Sequence, residues 1–382
     1  MISRLLKDKL LKSPKSILIL GPRQVGKSTL IESLGPDLTI NLGDEKTFLS
    51  FKSNPNEIYE RIDGVPDIKS IFIDEVQLHP LLLNTLQVLL DSKEYKNKLK
   101  IYISGSSARK LKRGQANLLP GRIFSYELGP LSAAELNYKI NINRSLKYGF
   151  LPEPYLNNQD DVSEKLLSTY SGTYLKEEIQ AESLTRNLEG FSRFLMVAAE
   201  NAGHILDFSK IAKEARIERK NCSRFFEILE DTLIATKLDV YSKSDADITK
   251  RPKFYFFDVG VLNGLLQNFN VSNDRKGMMF EHIVINQIQS SAKAHDIPIQ
   301  LFYFRTRSGF EVDLILEMKG KTYAIEIKSG NLDSRDALNL LKIKNYIPSI
   351  NETFIVGLNT ENKGIKGVKI RNLTSFLKEI GL

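Results

Sequence analysis

The chain has 382 residues, of which 42% are hydrophobic and 26% charged, the profile of a globular protein with two or three domains. No uncharged apolar run approaches the roughly 18 residues that a membrane span needs, which argues against a membrane partner. The lone cysteine, Cys222, can close no disulfide within the chain, which suits a reducing cytoplasm. The formal charge of +8 favours a polyanionic partner, either DNA or a nucleotide.

Residues 1–12 carry leucines and an isoleucine at helical spacing amid charges, without the continuous apolar core of a secretory signal. An apolar run over 16–20 then leads into Gly21-Pro22-Arg23-Gln24-Val25-Gly26-Lys27-Ser28. This segment fits the phosphate-loop pattern G-x-x-x-x-G-K-[ST] at every specified position. A helix is expected from Thr29 to about position 34, stopped by Gly35-Pro36. The backbone N–H groups of Gly21 and of Arg23 to Thr29 would cradle a polyphosphate at the positive end of that helix, with Pro22 shaping the turn. Lys27 would reach the β- and γ-phosphates of ATP, and the Ser28 hydroxyl would ligate Mg²⁺.

A second short strand is read over 38–42, then an acidic turn at Asp44-Glu45 and helix over 48–62, interrupted near Pro55. Ile71-Phe72-Ile73-Asp74-Glu75 is an apolar run ending in two acids, the form of a Walker B strand buried in a parallel sheet. Its acids would emerge at the carboxyl edge, where ligands bind in open α/β sheets. Asp74 would hold Mg²⁺ through water, and Glu75 would polarise the attacking water. A helix over 81–90 and a strand over 99–103 follow, ending in Ser104-Gly105-Ser106-Ser107. Ser106 is the candidate γ-phosphate sensor, against the reading of a plain polar turn. Leu119-Pro120-Gly121-Arg122 precedes a fifth strand over 123–128. Arg122 is the candidate arginine finger, against the reading of a surface arginine.

The phosphate loop, Asn41-Leu42, the Ile-Asp-Glu-Val-Gln run at 73–77, Ser-Gly-Ser-Ser at 104–107 and Leu-Pro-Gly-Arg at 119–122 together resemble a prokaryotic AAA-type ATPase family. Its members commonly carry a C-terminal domain of unknown function. The resemblance extends over essentially the whole chain. It implies a five-stranded ATPase fold with the loop strand near the centre.

The turn cluster at 148–154 marks the expected domain boundary, and a helix over 170–182 is expected beyond it. Residues 191–241 read as three helices and a β-ribbon. Phe191, Phe194, Leu195 and Ala198 form one apolar stripe, Asp207 or Ser209 caps a second helix, and segments 233–241 and 253–257 pair as a wing. This is the outline of a winged helix-turn-helix. Arg216, Arg219 and Lys220 are expected on a DNA-contacting face, although winged helices also serve as spacers and protein-contact modules.

Near the end, Phe310 to Leu316 and Thr322 to Lys328 alternate as strands around a Lys319-Gly320 hairpin turn. If Met318 faces Lys321, Asp313 lies opposite Glu326 and Glu311 opposite Lys328. Asp, then Glu-x-Lys on the paired strand, is the core of the PD-(D/E)xK nuclease pattern. Glu281, on a predicted helix, would complete a metal site with Asp313 and Glu326, and Lys328 would assist phosphodiester attack.

The expected fold is therefore α/β. It comprises a P-loop ATPase parallel sheet over 1–148, a helical linker over 149–187, a winged helix over 188–258 and a restriction-endonuclease-like domain over 259–382. The expected function is Mg²⁺-dependent ATP binding and hydrolysis acting on DNA, with ATP and Mg²⁺ as cofactors and a homo-oligomer as one possible assembly. The alternative is an ATP-dependent switch whose C-terminal region binds a protein partner without catalysis.

Overall fold

The computed structural model describes residues 2–96, 98–106, 119–174, 187–242, 248, 250–358 and 360–382. Ser107 of the expected sensor segment and positions 175–182 of the expected helix at 170–182 lie outside the described residues. Two compact units result. One comprises residues 1–129 with 231–233, and the other residues 130–230 with 234–382.

The first unit runs α1 (Leu6–Lys12), β1 (Ser16–Leu20), α2 (Lys27–Glu32), β2 (Leu38–Asn41), α3 (Glu45–Ser53), α4 (Glu57–Asp63), β3 (Ser70–Asp74), α5 (Leu82–Asp91), β4 (Lys100–Gly105) and β5 (Ile123–Glu127). Its five strands are parallel in the order β2-β3-β4-β1-β5. The loop strand β1 lies between the central strand β4 and the edge strand β5, near the centre of the sheet. Strands β1, β3 and β4 are buried almost throughout. The carboxylate of Asp44 caps α3 by accepting from the Thr47 N–H at 2.8 Å, which accounts for the acidic turn seen in the sequence.

The second unit contains α6 (Ile142–Tyr148), α7 (Pro152–Leu156), α8 (Asp160–Thr169), α9 (Leu188–Glu200), α10 (Phe208–Glu214), α11 (Arg219–Asp231), β6 (Ala235–Val240), β7 (Lys253–Phe256), α12 (Val259–Leu265), α13 (Asn273–His295), β8 (Ile299–Arg305), β9 (Glu311–Met318), β10 (Lys321–Lys328), α14 (Ser334–Leu341), β11 (Glu352–Gly357), β12 (Lys363–Ile365), β13 (Val368–Asn372) and α15 (Leu373–Ile380). One mixed sheet of eight strands in the order β12-β13-β11-β10-β9-β8-β6-β7 runs through it. The helix α13 is apolar on most sides, with Phe280, Ile283, Val284, Ile285 and Ile288 all buried, as a helix in the middle of a core must be.

Two features depart from the expected boundaries. The turn cluster at 148–154 lies inside the second unit. Gly149, at φ +65°, ends α6, and Pro152 opens α7, so these turn residues punctuate helices and not domains. The buried Asp258 carboxylate caps α12 and also accepts the Phe150 N–H at 2.6 Å, tying the supposed boundary to a helix more than a hundred residues later. The β6–β7 pair forms as expected, from Ala235 against Phe256 to Leu238 against Lys253. However, β6 also pairs in parallel with β8 through Asp239–Phe302 and Val240–Tyr303. The ribbon therefore also joins the C-terminal sheet.

Candidate functional site

The parallel register brings the C-terminal ends of β1, β3 and β4 to one edge, with Leu20 beside Gly105 and Ile73 beside Ile103. The phosphate loop leaves from that edge. Gly21 admits no side chain, because a Cβ there would stand 2.2 Å from the Leu128 carbonyl oxygen. Gln24 and Gly26 take positive φ, +62° and +92°, which turns the loop before α2 begins at Lys27. The Lys27 ammonium is buried and donates to the Gly21 and Pro22 carbonyls at 2.9 Å each. A residue that sequence reasoning missed braces the same loop: Arg4 donates to the Val25 carbonyl at 2.6 Å and the Gly129 carbonyl at 2.8 Å.

Ser28 and Asp74 meet as expected. The Ser28 hydroxyl donates to Asp74 Oδ2 at 2.7 Å, while the other carboxylate oxygen accepts the Ser104 hydroxyl and the Glu75 N–H. A hydroxyl and a carboxylate beside a phosphate loop are the hard oxygen donors that suit Mg²⁺, so the residues present fit an ATP–Mg²⁺ complex. Pro22, Arg23 and Val25 occupy the loop and Thr29 the first turn of α2; Pro22 carries no N–H, so of these four only the other three have one to offer a phosphate. Glu75 sits in the left-handed region at φ +58°, ψ +41°, a conformation that costs a non-glycine residue about 1 kcal/mol and concentrates at functional sites.

The buried Gln77 links the two ends of this edge. Its amide N–H₂ donates to the Glu75 carboxylate, and its Oε1 accepts the Ser106 N–H at 3.3 Å. Ser106 therefore joins Glu75 through a glutamine whose role the sequence did not disclose. Arg122 lies elsewhere. Ile123 pairs with Ser16, at the opposite end of β1 from the loop, a strand length of about 15 Å. Its guanidinium grips Asp91 through two bonds of 2.7 Å. Within its own chain Arg122 does not face the phosphate loop, which removes the in-chain form of the finger.

In the second unit the hairpin register is the expected one, from Lys321 against Met318 to Ile325 against Leu314. Glu281, Asp313 and Glu326 line one cleft of about 470 Å³ together with Lys253, Arg305 and Glu311. Each acid already has a partner. Asp313 accepts the Ile327 N–H at 2.7 Å. Glu326 pairs with Lys328 at 2.7 Å. Glu281 accepts the Tyr255 hydroxyl and stands 3.6 Å from the Lys253 ammonium. Glu311 binds Arg305 at 2.7 Å and Lys253 at 2.9 Å, where Lys328 was the expected partner. The reason is the neighbouring strand: Arg305 on β8 stands directly beside Glu311.

The expected metal triad of Glu281, Asp313 and Glu326 is thus brought to one place but not arranged as a cage. Among the described residues, no three His, Cys, Asp or Glu side chains are close enough to share a metal ion. Burial and then the Glu281 charge push Asp313 up to about 7, and burial and then Asp313 push Glu326 to about 7. Burial opposes the charge on Lys253, but Glu281 and Glu311 outweigh it and raise its pKa. The sequence did offer one signal for Lys253. It is the single cation in the otherwise aromatic run Lys253-Phe254-Tyr255-Phe256.

The expected DNA-facing cations lie around the start of α11. Arg216, Arg219 and Lys220 are exposed. Asp207, not Ser209, caps α10, accepting from the Ser209 and Lys210 N–H groups. No helix among the described residues is long and apolar enough to cross a membrane.

Comparison with known proteins assigns these regions separately. Residues 13–137 match the AAA domain family. Residues 140–272 match Domain of unknown function (DUF8612), and residues 276–376 match Domain of unknown function (DUF4143). An uncharacterized protein of Mycobacterium tuberculosis is 26% identical over 329 residues, covering 83% of this chain and 71% of the relative. One from Methanocaldococcus jannaschii is 23% identical over 302 residues, covering 72% of this chain and 65% of the relative. Among solved structures, AMPPCP-bound DnaA from Aquifex aeolicus shares 14% identity over 59% of this chain and 86% of its own, at a TM-score of 0.29. A Thermotoga maritima RuvB variant shares 14% over 61% and 86%, also at 0.29. Structural likeness of that size carries no argument here. The family matches and the loop geometry agree: the chain carries an AAA domain of the P-loop ATPase family over residues 13–137, followed by two domains of unknown function.

Proposed function

We propose that the protein binds ATP with Mg²⁺ at the phosphate loop and hydrolyses it, and that its C-terminal region acts on DNA. The observation that carries the ATP reading is the 2.7 Å contact between Ser28 and Asp74 beside the loop. It joins the two Mg²⁺ donors that phosphoryl transfer requires. In this reading Lys27 holds the β- and γ-phosphates, Glu75 orients the attacking water, and Ser106 reports the γ-phosphate through Gln77. A finger role for Arg122 then belongs to a neighbouring subunit of a homo-oligomer. Fluorescent-nucleotide titration tests the binding step. Affinity should require both Mg²⁺ and Lys27, and equal affinity in Lys27→Ala would reject the site.

The DNA reading is supported by the positions of Arg216, Arg219 and Lys220. Helix α11 starts at Arg219, so these exposed cations crowd the positive end of a helix, an arrangement that favours an anion. Helices α9 to α11 with the β6–β7 pair support a winged-helix reading. Helix α13 with β8 to β11 supports a nuclease-like fold. Changing Arg216, Arg219 and Lys220 to Glu should weaken duplex binding and flatten its salt dependence, each lost phosphate contact lowering the logarithmic slope by about 0.9. Duplex binding with an unchanged slope would favour the alternative, a switch that docks a protein partner.

A further inference from the structure

We infer that the cation of the carboxylate cleft is the Lys253 ammonium, built into the fold, and that the folded chain takes no divalent metal there. Four acids, Glu281, Glu311, Asp313 and Glu326, line the cleft, an accumulation that needs positive charge to be stable. Lys253 supplies it from an unexpected direction. It lies at the start of β7, the outermost strand at one end of the sheet, whereas the acids come from α13, β9 and β10.

Its side chain is only 6% exposed, with the ammonium 2.9 Å from Glu311, 3.6 Å from Glu281 and 5.2 Å from the centre of the Tyr303 ring. A buried lysine is retained when carboxylates surround it, and removing one partner strands the other. One oxygen of each other acid is engaged as well: Glu281 Oε1 by the Tyr255 hydroxyl, Asp313 Oδ2 by the Ile327 N–H and Glu326 Oε1 by the Lys328 ammonium. Mg²⁺ and Mn²⁺ demand several oxygens at short, regular distances. A divalent ion would have to share acids whose nearer oxygens are already held, while standing beside a resident ammonium that repels it. The residues therefore do not fit the metal that their spacing in the sequence suggests.

The inference is independent of the ATP reading, because its test uses nucleotide-free protein. Mn²⁺ is titrated into the full chain and bound ion is followed by electron paramagnetic resonance. Wild type and Asp313→Asn should bind Mn²⁺ identically, since no site depends on Asp313. Lys253→Met should gain one Mn²⁺ site, and Lys253→Met combined with Asp313→Asn should lose it again. Lys253→Arg, which keeps the charge, should gain none. A wild-type site abolished by Asp313→Asn would overturn the inference, as would a folded Lys253→Met variant that gains no site. If Lys253→Met does not fold, the comparison of wild type with Asp313→Asn decides the matter alone.

Discussion

The two charged sites of this protein are built on opposite principles. At the phosphate loop, charged and polar groups are held by local backbone and by one another: Lys27 on two loop carbonyls, Ser28 against Asp74, and Glu75 in a strained turn. In the C-terminal cleft, every acid is answered by a donor of the fold itself, with Lys253 at the centre. In the first, the lysine rests on loop carbonyls, whereas in the second a buried lysine already stands among the acids. Two carboxylate motifs that look alike in sequence can therefore differ in whether they leave anything for a ligand to do.

The largest expected effects fall on the loop. Gly21→Ala would set a methyl 2.2 Å from the Leu128 carbonyl, so the loop must shift and nucleotide binding should be lost outright. Normal binding by this variant would mean that the loop is not held as described. Lys27→Ala removes a charge-assisted contact worth about 1.5–3 kcal/mol and should weaken ATP by roughly 10- to 100-fold, read by the same titration.

A smaller effect sharpens the loop side of the contrast. Gln77→Leu cuts the link between Ser106 and Glu75 while leaving Lys27 and Ser28 in place. ATP affinity should hold within about twofold, and turnover should fall roughly tenfold or more through misplacement of Glu75. Combining it with Glu75→Gln should add almost nothing, since both act through one carboxylate. Additive losses would make Gln77 a packing residue only.

The smallest effect tests the cleft. Burial holds Asp313 and Glu326 at about 7 in the folded chain, above the ordinary carboxylate range of the unfolded chain. The folded state then binds more protons between those values, so this pair lowers stability as pH rises through that window. Asp313→Asn removes one titrating group and can keep the Ile327 N–H bond through its amide oxygen. In urea unfolding, its stability relative to wild type should increase from about pH 5 to about pH 8. A difference that stays flat or shrinks would mean that Asp313 is charged throughout.

The sequence was readable wherever structure is encoded locally. The loop, its flanking strand and helix, the acids ending β3 and the register of the β9–β10 hairpin all follow from contiguous residues and short periodicities. What escaped depends on long-range pairing. The parallel contact of β6 with β8 fuses the expected ribbon into the C-terminal sheet, and no local pattern announces it. Lys253 reaches the cleft from a strand nearly thirty residues before the helix acid it partners, and Arg4 reaches Val25 from outside the motif. Arg122 sits away from its own loop for a related reason. A parallel strand entered at its start carries its first residues to the edge away from the ligand, which only the strand order reveals.

The most direct test of the central claim is a single-turnover comparison of wild type and Glu75→Gln with ATP and Mg²⁺, alongside a binding titration. The account predicts binding unchanged within about twofold and hydrolysis slowed roughly 10²- to 10⁴-fold, the contribution of a positioned general base. Undiminished hydrolysis by Glu75→Gln would contradict it.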